Sequence, residues 1–350
     1  MNLAVVAPSG ARVGMGHVAR QLAFAARART RGHAVTILTD AGAGRDRCRA
    51  EGFASQPLPA LDAAGTDAID RRLDALAPDR VVADLPDHAV ADLAPWLDAR
   101  GVVLVQSSAP PATVAGAATV LVGSDLDVVT RRIVVTHDGQ RVPVHSGRGY
   151  LLFREEFAAQ PPSIADRPSD ALLVTHGGSD PWHLTERTLA ALQACRGSYR
   201  VTVLVGPAFG EDRELNALAT VSRHDVRLVP GDRTPVADTM RAAGLAIVNG
   251  GSTRYELCMT GTPFLALAAQ ERQHLVNASL ARLGAGVALG AAAAVADGEI
   301  AAAVDAWMAD APARAAMGAR MRGLFDMRGA DRLLDVVLDP AAVPAEQATP

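Results

Sequence analysis

The feature that most restricts the fold of this chain is an alternation that runs along it twice: a short apolar run, a glycine-rich turn, an amphipathic stretch, then another apolar run. Leu3–Ala7 leads into the Gly-rich segment Ser9–Gly16. An amphipathic stretch from His17 to Arg31 follows, closed by Gly32, a residue suited to the left-handed turn after a helix. Val35–Leu38 reads as the next strand. Such a strand–helix–strand unit lays its strands in parallel and covers the sheet with the helix. Arg80–Ala83, Gly101–Val105 and the shorter Thr119–Val122 continue the series.

The second half begins afresh. Pro, Gly and Arg gather at 141–149, and a polar, Pro-rich stretch runs from Gln160 to Asp170. Ala171–Thr175 is then a strand, with a helix after Asp180-Pro181: Asp180 caps, and Pro181 sits at the first helical position, where its missing N–H costs nothing. Strands follow at Val201–Val205, Val226–Val229, Leu245–Val248 and Pro263–Leu267. Helices are expected at Pro235–Ala243, Arg254–Thr260, Gln273–Leu283, Ile300–Met308 and within Arg314–Leu338. The pattern predicts an α/β protein of two Rossmann-like, doubly wound domains facing a cleft, at 1–155 and 156–340, with a disordered Ala/Pro-rich tail at 341–350. Ligands of such sheets bind outside the carboxyl ends of the strands.

Composition narrows the chemistry. The chain contains no lysine, so all 34 of its Lys+Arg residues are arginine. Schiff-base and P-loop lysine mechanisms are excluded. A net charge of −4 gives no broad basic face for nucleic acid. The three cysteines, Cys48, Cys195 and Cys258, are far apart and lack the spacing of a zinc site or a disulfide framework. No metal or cofactor is expected. The first residues are strand-like without a basic leader, and no apolar run approaches the roughly 18 residues of a membrane span, which leads us to expect a cytoplasmic protein.

Four segments carry candidate chemistry. Gly14-Met15-Gly16-His17 lies between a strand and a helix. The glycines allow close backbone approach, and the positive end of the helix favours an anion and the neutral imidazole that a general base needs. The bland alternative is a dinucleotide-type loop with an incidental histidine. Asn249-Gly250-Gly251-Ser252-Thr253, with Glu256 one turn in, can cradle a diphosphate on backbone N–H groups while Glu256 accepts from ribose hydroxyls. It also reads as an ordinary turn with Thr253 as cap and Glu256 completing a capping box. Gly177-Gly178-Ser179-Asp180-Pro181 is a second close-approach turn at the same sheet edge, and His176 beside it has no assigned catalytic role. Glu271-Arg272-Gln273 follows a strand, where Arg272 and Gln273 can hydrogen-bond a sugar; the other reading is a solvated helix start. The remaining histidines and the dispersed Trp96, Trp182 and Trp307 form no constellation.

Taken in order, Gly14-Met15-Gly16-His17-Val18-Ala19-Arg20, Tyr150–Phe157, Gly177–Pro181 with Leu184-Thr185, and Gly250–Leu257 resemble the PseG-type UDP-sugar hydrolases of pseudaminic acid biosynthesis, relatives of the MurG glycosyltransferase. The resemblance spans residues 3 to 290. It implies a GT-B fold and a metal-independent enzyme that removes UDP by C–O cleavage at the anomeric carbon. It implies His17 as the base for water, Gly250, Gly251, Ser252 and Thr253 on the diphosphate and Glu256 on the ribose; the candidate site is completed by Gly14, Gly16, Gly178 and Ser179 on the nucleotide and diphosphate and by Asp84, Arg272 and Gln273 on the sugar. Three places differ from that family's pattern: Asp84-Leu85-Pro86 where Asp-x-Tyr is usual, Gln106-Ser107 in place of an acidic pair, and Glu271-Arg272-Gln273 in place of Glu-Asn-Gln, the last closer to the Asp-Arg-Gln of MurG.

Three functions fit these residues: a nucleotide-sugar hydrolase, favouring UDP-sugars; a GT-B glycosyltransferase in which His17 activates an acceptor hydroxyl; and a nucleotide-sugar binding protein without catalysis.

Overall fold

The computed structural model describes residues 1–10, 13–62, 64–106, 118–121, 133–135, 141–206, 209 and 213–340. The chain divides into two compact units, Met1–Arg154 with Met327–Pro350, and Glu155–Asp326.

The first unit is built on β1 (Asn2–Val6), β2 (Ala34–Thr39), β3 (Ala54–Pro57), β4 (Arg80–Asp84), β5 (Val103–Gln106), β6 (Ala118–Leu121), β7 (Ile133–Val135) and β8 (Arg141–Ser146). They form one sheet in the order β3-β2-β1-β4-β5-β6-β8-β7. Every pair is parallel except β7 with β8. Helices α1 (Gly16–Thr30), α2 (Ala43–Ala50), α3 (Thr66–Leu76) and α4 (Asp87–Ala99) connect the first five strands. Leu3, Ala4, Val5 and Val6 are all buried, which is why β1 reads as a continuous apolar run and not an alternating one: helices cover both faces of the sheet. Ile69 and Leu73 of α3 and Leu93 and Leu97 of α4 pack with Val6, Leu38 and Leu104 in one core. Each such side chain contributes about 1.5–3 kcal/mol of burial.

The second unit repeats the plan with β9 (Ala171–Thr175), β10 (Arg200–Val205), β11 (Asp225–Pro230), β12 (Leu245–Val248), β13 (Phe264–Ala268) and β14 (Val287–Ala291). Its all-parallel sheet has the order β11-β10-β9-β12-β13-β14. Around it lie α5 (Leu184–Leu192), α6 (Arg213–Val221), α7 (Val236–Ala242), α8 (Thr253–Met259), α9 (Glu271–Arg282), α10 (Asp297–Ala309) and α11 (Ala311–Met321). In both sheets the order of successive strands therefore reverses at one point, β1|β4 in the first and β9|β12 in the second. At that point the connections diverge to opposite faces and leave a crevice at the carboxyl edge.

Two expectations are corrected. The helix after Asp180-Pro181 begins only at Leu184, and Pro181 lies in the preceding turn. Asp180, at φ 38°, still caps it from further back, accepting from Leu184 N at 3.1 Å and Thr185 N at 2.7 Å. The segment Arg314–Leu338, expected in the second domain, splits into α11 and α12 (Gly329–Leu338), and α12 packs in the first unit. There Asp331 accepts from Arg27 Nε at 2.6 Å and Arg332 donates to the Gly149 carbonyl at 2.8 Å. Gly329 permits the close approach, since a Cβ there would lie 1.9 Å from the Leu151 carbonyl oxygen. The expected tail at 341–350 and Ser107 lie outside the described residues.

Candidate functional site

In the first unit the turn after β1 is pinched by reciprocal hydrogen bonds between Gly10 and Gly14, at 3.1 and 2.7 Å. Gly14 has a φ of +73°, a left-handed conformation natural to glycine. Gly16 then opens α1, and His17 follows on its inward side, 8% exposed.

Facing it across the β1|β4 crevice is Asp84, the last residue of β4 and 0% exposed. His17 Nδ1 lies 2.7 Å from Asp84 Oδ1. Arg20 grips the same carboxylate with Nε on Oδ2 and Nη2 on Oδ1, both at 2.5 Å, and Gln21 Nε2 donates to Oδ2 at 2.9 Å. Residues 17, 20 and 21 share one helix face because they are three and four positions apart. Burial alone would raise the Asp84 carboxyl, but the Arg20 guanidinium and then His17 outweigh it and hold it at about 2.

Asp84, expected on the sugar, is thus enclosed beneath His17 with both oxygens taken. Arg20 Nη2 also lies 2.9 Å from His17 Nδ1, but an ionised carboxylate can only accept, so the shorter contact to Asp84 places the hydrogen on Nδ1 and leaves the lone pair on Nε2. Nε2 bonds to no described residue, and the side chain retains 11% exposure.

Acid sensitivity follows. The Asp84 carboxyl is depressed from 3.8 to about 2, so its stabilisation is present above about pH 4 and lost as pH falls towards 2. Comparing urea unfolding at about pH 6 and pH 2, we expect about 2 kcal/mol of the wild-type acid loss to be missing from Asp84→Asn. Equal acid loss in both proteins would remove this role.

In the second unit the turns after β9 and β12 flank the other crevice. Gly177 has a φ of +97°, and Gly206 packs so closely that a Cβ there would lie 2.4 Å from the Gly178 carbonyl oxygen. Gly178 and Ser179 are half-buried. After β12, Ser252, and not Thr253, is the cap of α8; its side chain makes no capping bond and is exposed. The expected Thr253–Glu256 capping box does not form. The backbone N–H groups of Ser252 and Thr253 have no acceptor among the described residues, as at any open helix start. Thr253 and Glu256 are half-buried. Gly250 is required by packing: a Cβ there would sit 2.1 Å from Gln273 Cβ.

Gln273 lies in the first turn of α9, beside Arg272, and its Oε1 accepts from Ala269 N at 2.8 Å. Part of its expected sugar-binding capacity is therefore spent on the end of β13.

Three further residues shape these turns. Asn249, 5% exposed, donates to the His176 carbonyl and accepts from Gly251 N. Arg254, 3% exposed, holds the Gly251 carbonyl at 2.8 Å and Asn277 Oδ1 at 2.9 Å. His176 is buried against Thr188 at 2.9 Å, and burial lowers its imidazole to about 4, so it is neutral at ordinary pH. Among the described residues no cluster of His, Cys, Asp and Glu is placed to hold a metal ion. None of their helices is long and apolar enough to cross a membrane.

Solved structures similar to the chain over almost its whole length include Acinetobacter baumannii MurG, with a TM-score of 0.65, 14% identity and coverage of 96% of this chain and 99% of that one. The chain has the GT-B fold. The spinosyn rhamnosyltransferase SpnG complexed with thymidine diphosphate is alike at TM-score 0.65 and 16% identity, covering 96% and 100%. The calicheamicin glycosyltransferase CalG4 is alike at TM-score 0.60 and 18%, covering 97% and 99%. No family model matches the sequence. Among curated proteins, the spore coat polysaccharide biosynthesis protein SpsG of Bacillus subtilis is 25% identical over 197 residues, 56% of this chain and 58% of that protein. An uncharacterized protein of Methanocaldococcus jannaschii is 30% identical over 132 residues, 36% of this chain and 27% of that one. The chain thus spans about a quarter to just over half the length of these relatives.

Proposed function

We propose that this chain is a glycosyltransferase: it takes a sugar from a nucleotide diphosphate sugar and passes it to an acceptor hydroxyl. The observation that carries the reading is His17, held by Nδ1 on a buried carboxylate with Nε2 unpartnered among the described residues, at the carboxyl edge of a doubly wound sheet. In the proposed step Nε2 removes the proton from the acceptor O–H as its oxygen bonds to the anomeric carbon. The anomeric C–O bond breaks, and its electron pair leaves with the terminal phosphate of the nucleotide diphosphate.

The second unit is assigned the nucleotide. Its Ser252 and Thr253 N–H groups are open to phosphate oxygens, and Gly178, Ser179, Gly250 and Gly251 leave room for them. Donors fixed before the reaction stabilise the charge that develops on the leaving group. Glu256 is assigned to ribose hydroxyls, and Arg272 and Gln273 to the sugar. The likeness to SpnG, whose structure was solved with thymidine diphosphate, supports dTDP-sugars as donors beside UDP-sugars.

A second reading keeps the chemistry and makes water the acceptor. It is favoured by the four motifs that stand in the order of the PseG-type hydrolases. One experiment separates the two: incubate the protein with UDP-, dTDP-, CDP- and GDP-sugars, with and without candidate acceptors, and follow nucleotide release. Transfer predicts release that depends on an acceptor; hydrolysis predicts equal release without one. Binding with no release under either condition would refute both and leave a binding protein.

A further inference from the structure

We propose that Asn249 is a positioning residue that ties the two glycine turns of the second unit into one phosphate-accepting surface; this rests on the nucleotide assignment above. Its side-chain amide is wedged between the turns. Nδ2 donates to the carbonyl of His176, the residue before Gly177, at 2.6 Å, and Oδ1 accepts from Gly251 N at 2.9 Å. A single buried side chain thus fixes the spacing between the β9 and β12 turns, which flank the crevice where the sheet reverses.

Gly251 leaves space for the wedge: a Cβ there would press on Oδ1 at 3.1 Å, whereas one on Gly177 would meet Nδ2 at an ordinary 3.7 Å. The turns are also held from outside. Gly250 lies against Gln273 of α9, and Arg254 fixes the Gly251 carbonyl. His176 is anchored by Nε2 to Thr188, while its buried Nδ1 has no partner among the described residues.

The chemistry of asparagine suits this task. One planar group offers a donor on one edge and an acceptor on the other, so it bridges a carbonyl and an N–H at once. Aspartate keeps the acceptor for Gly251 N but sets a second oxygen against the His176 carbonyl. Serine keeps a short acceptor and cannot span the gap. Both changes release one turn from the other while leaving Gly251 N satisfied.

The test uses the full chain and two variants, Asn249→Asp and Asn249→Ser. Affinities for UDP, dTDP, CDP and GDP are measured by calorimetry beside those for the matching monophosphates, with the melting temperature of each protein. If Asn249 sets the spacing of the turns, the diphosphate that the wild type prefers binds about tenfold more weakly to both variants. Its monophosphate changes by less than about threefold. A uniform loss for both nucleotides, or no loss, overturns the assignment while the nucleotide reading stands. Unfolding of both variants gives Asn249 a role in stability and overturns it too. Wild-type protein that binds no nucleoside diphosphate overturns the nucleotide reading and this assignment with it.

Discussion

His17→Asn is expected to lower turnover by about 10²–10⁴-fold, the range that a positioned general base contributes, with nucleotide affinity within about twofold of wild type. Asparagine matches the reach of Nδ1 and can still donate to Asp84, so the Asp84–Arg20 pair stays satisfied and the fold is kept. It has no basic nitrogen in the place of Nε2. Initial rates on the best substrate of the donor panel, paired with calorimetric affinity for its nucleotide, read the two effects separately. Turnover close to wild type would take the base role from His17. A parallel loss of affinity would mean that the histidine serves binding and not proton transfer.

Asp84→Asn is expected to cost nearly as much by a different route. The amide no longer obliges Nδ1 to carry the proton; its NH₂ favours the other tautomer, which puts hydrogen on Nε2 and blocks proton abstraction. The same exchange in the Ser-His-Asp triad of a serine protease lowers kcat about 10⁴-fold, so a loss of about 10²–10⁴-fold is expected here. A stability effect accompanies it, because Arg20, with 14% side-chain exposure, loses its anionic partner. Removing one member of a buried ion pair typically costs about 3–5 kcal/mol, and the charge that remains in Asp84→Asn is Arg20 itself. Asp84→Ala should therefore unfold more readily still, since Gln21 also loses its acceptor. Kinetics on folded Asp84→Asn, with its melting temperature, distinguish a wrong tautomer from a damaged fold. Turnover within about threefold of wild type would contradict the assignment.

The parts of the fold legible in the sequence are those that physical chemistry marks locally. Strands buried on both faces, such as Ala171–Thr175 and Leu245–Val248, appear as unbroken apolar runs. The glycine turns stand out because close backbone approach needs the missing Cβ. β3 escapes notice because Ala54-Ser55-Gln56-Pro57 is an edge strand with neither an apolar run nor an alternation. The return of α12 to the first unit is a tertiary fact, written in Arg27–Asp331 and in Gly329 against Leu151, residues far apart in sequence.

The candidate site divides in the same way. His17 can be singled out, since a histidine after Gly-x-Gly at a helix start is a local pattern. The function of Asp84 cannot: its position at a strand end is visible, but that it faces inward to His17, Arg20 and Gln21 depends on β4 lying beside β1. The 17, 20, 21 spacing is the available hint, three polar side chains on a helix face that should otherwise be apolar. Asn249 is visible as part of its turn, yet its link to His176 crosses between two loops and has no local signature.

The proposed chemistry needs His17 to present a bare Nε2, with Asp84 holding the proton on Nδ1. Imidazole ¹⁵N–¹H correlation spectra of the wild-type protein, followed up a pH series until the His17 shifts stop changing, read this directly. The expected spectrum shows the Nδ1–H form for His17, changing in Asp84→Asn. A wild-type His17 that carries its proton on Nε2, with Nδ1 accepting from Arg20, would contradict it.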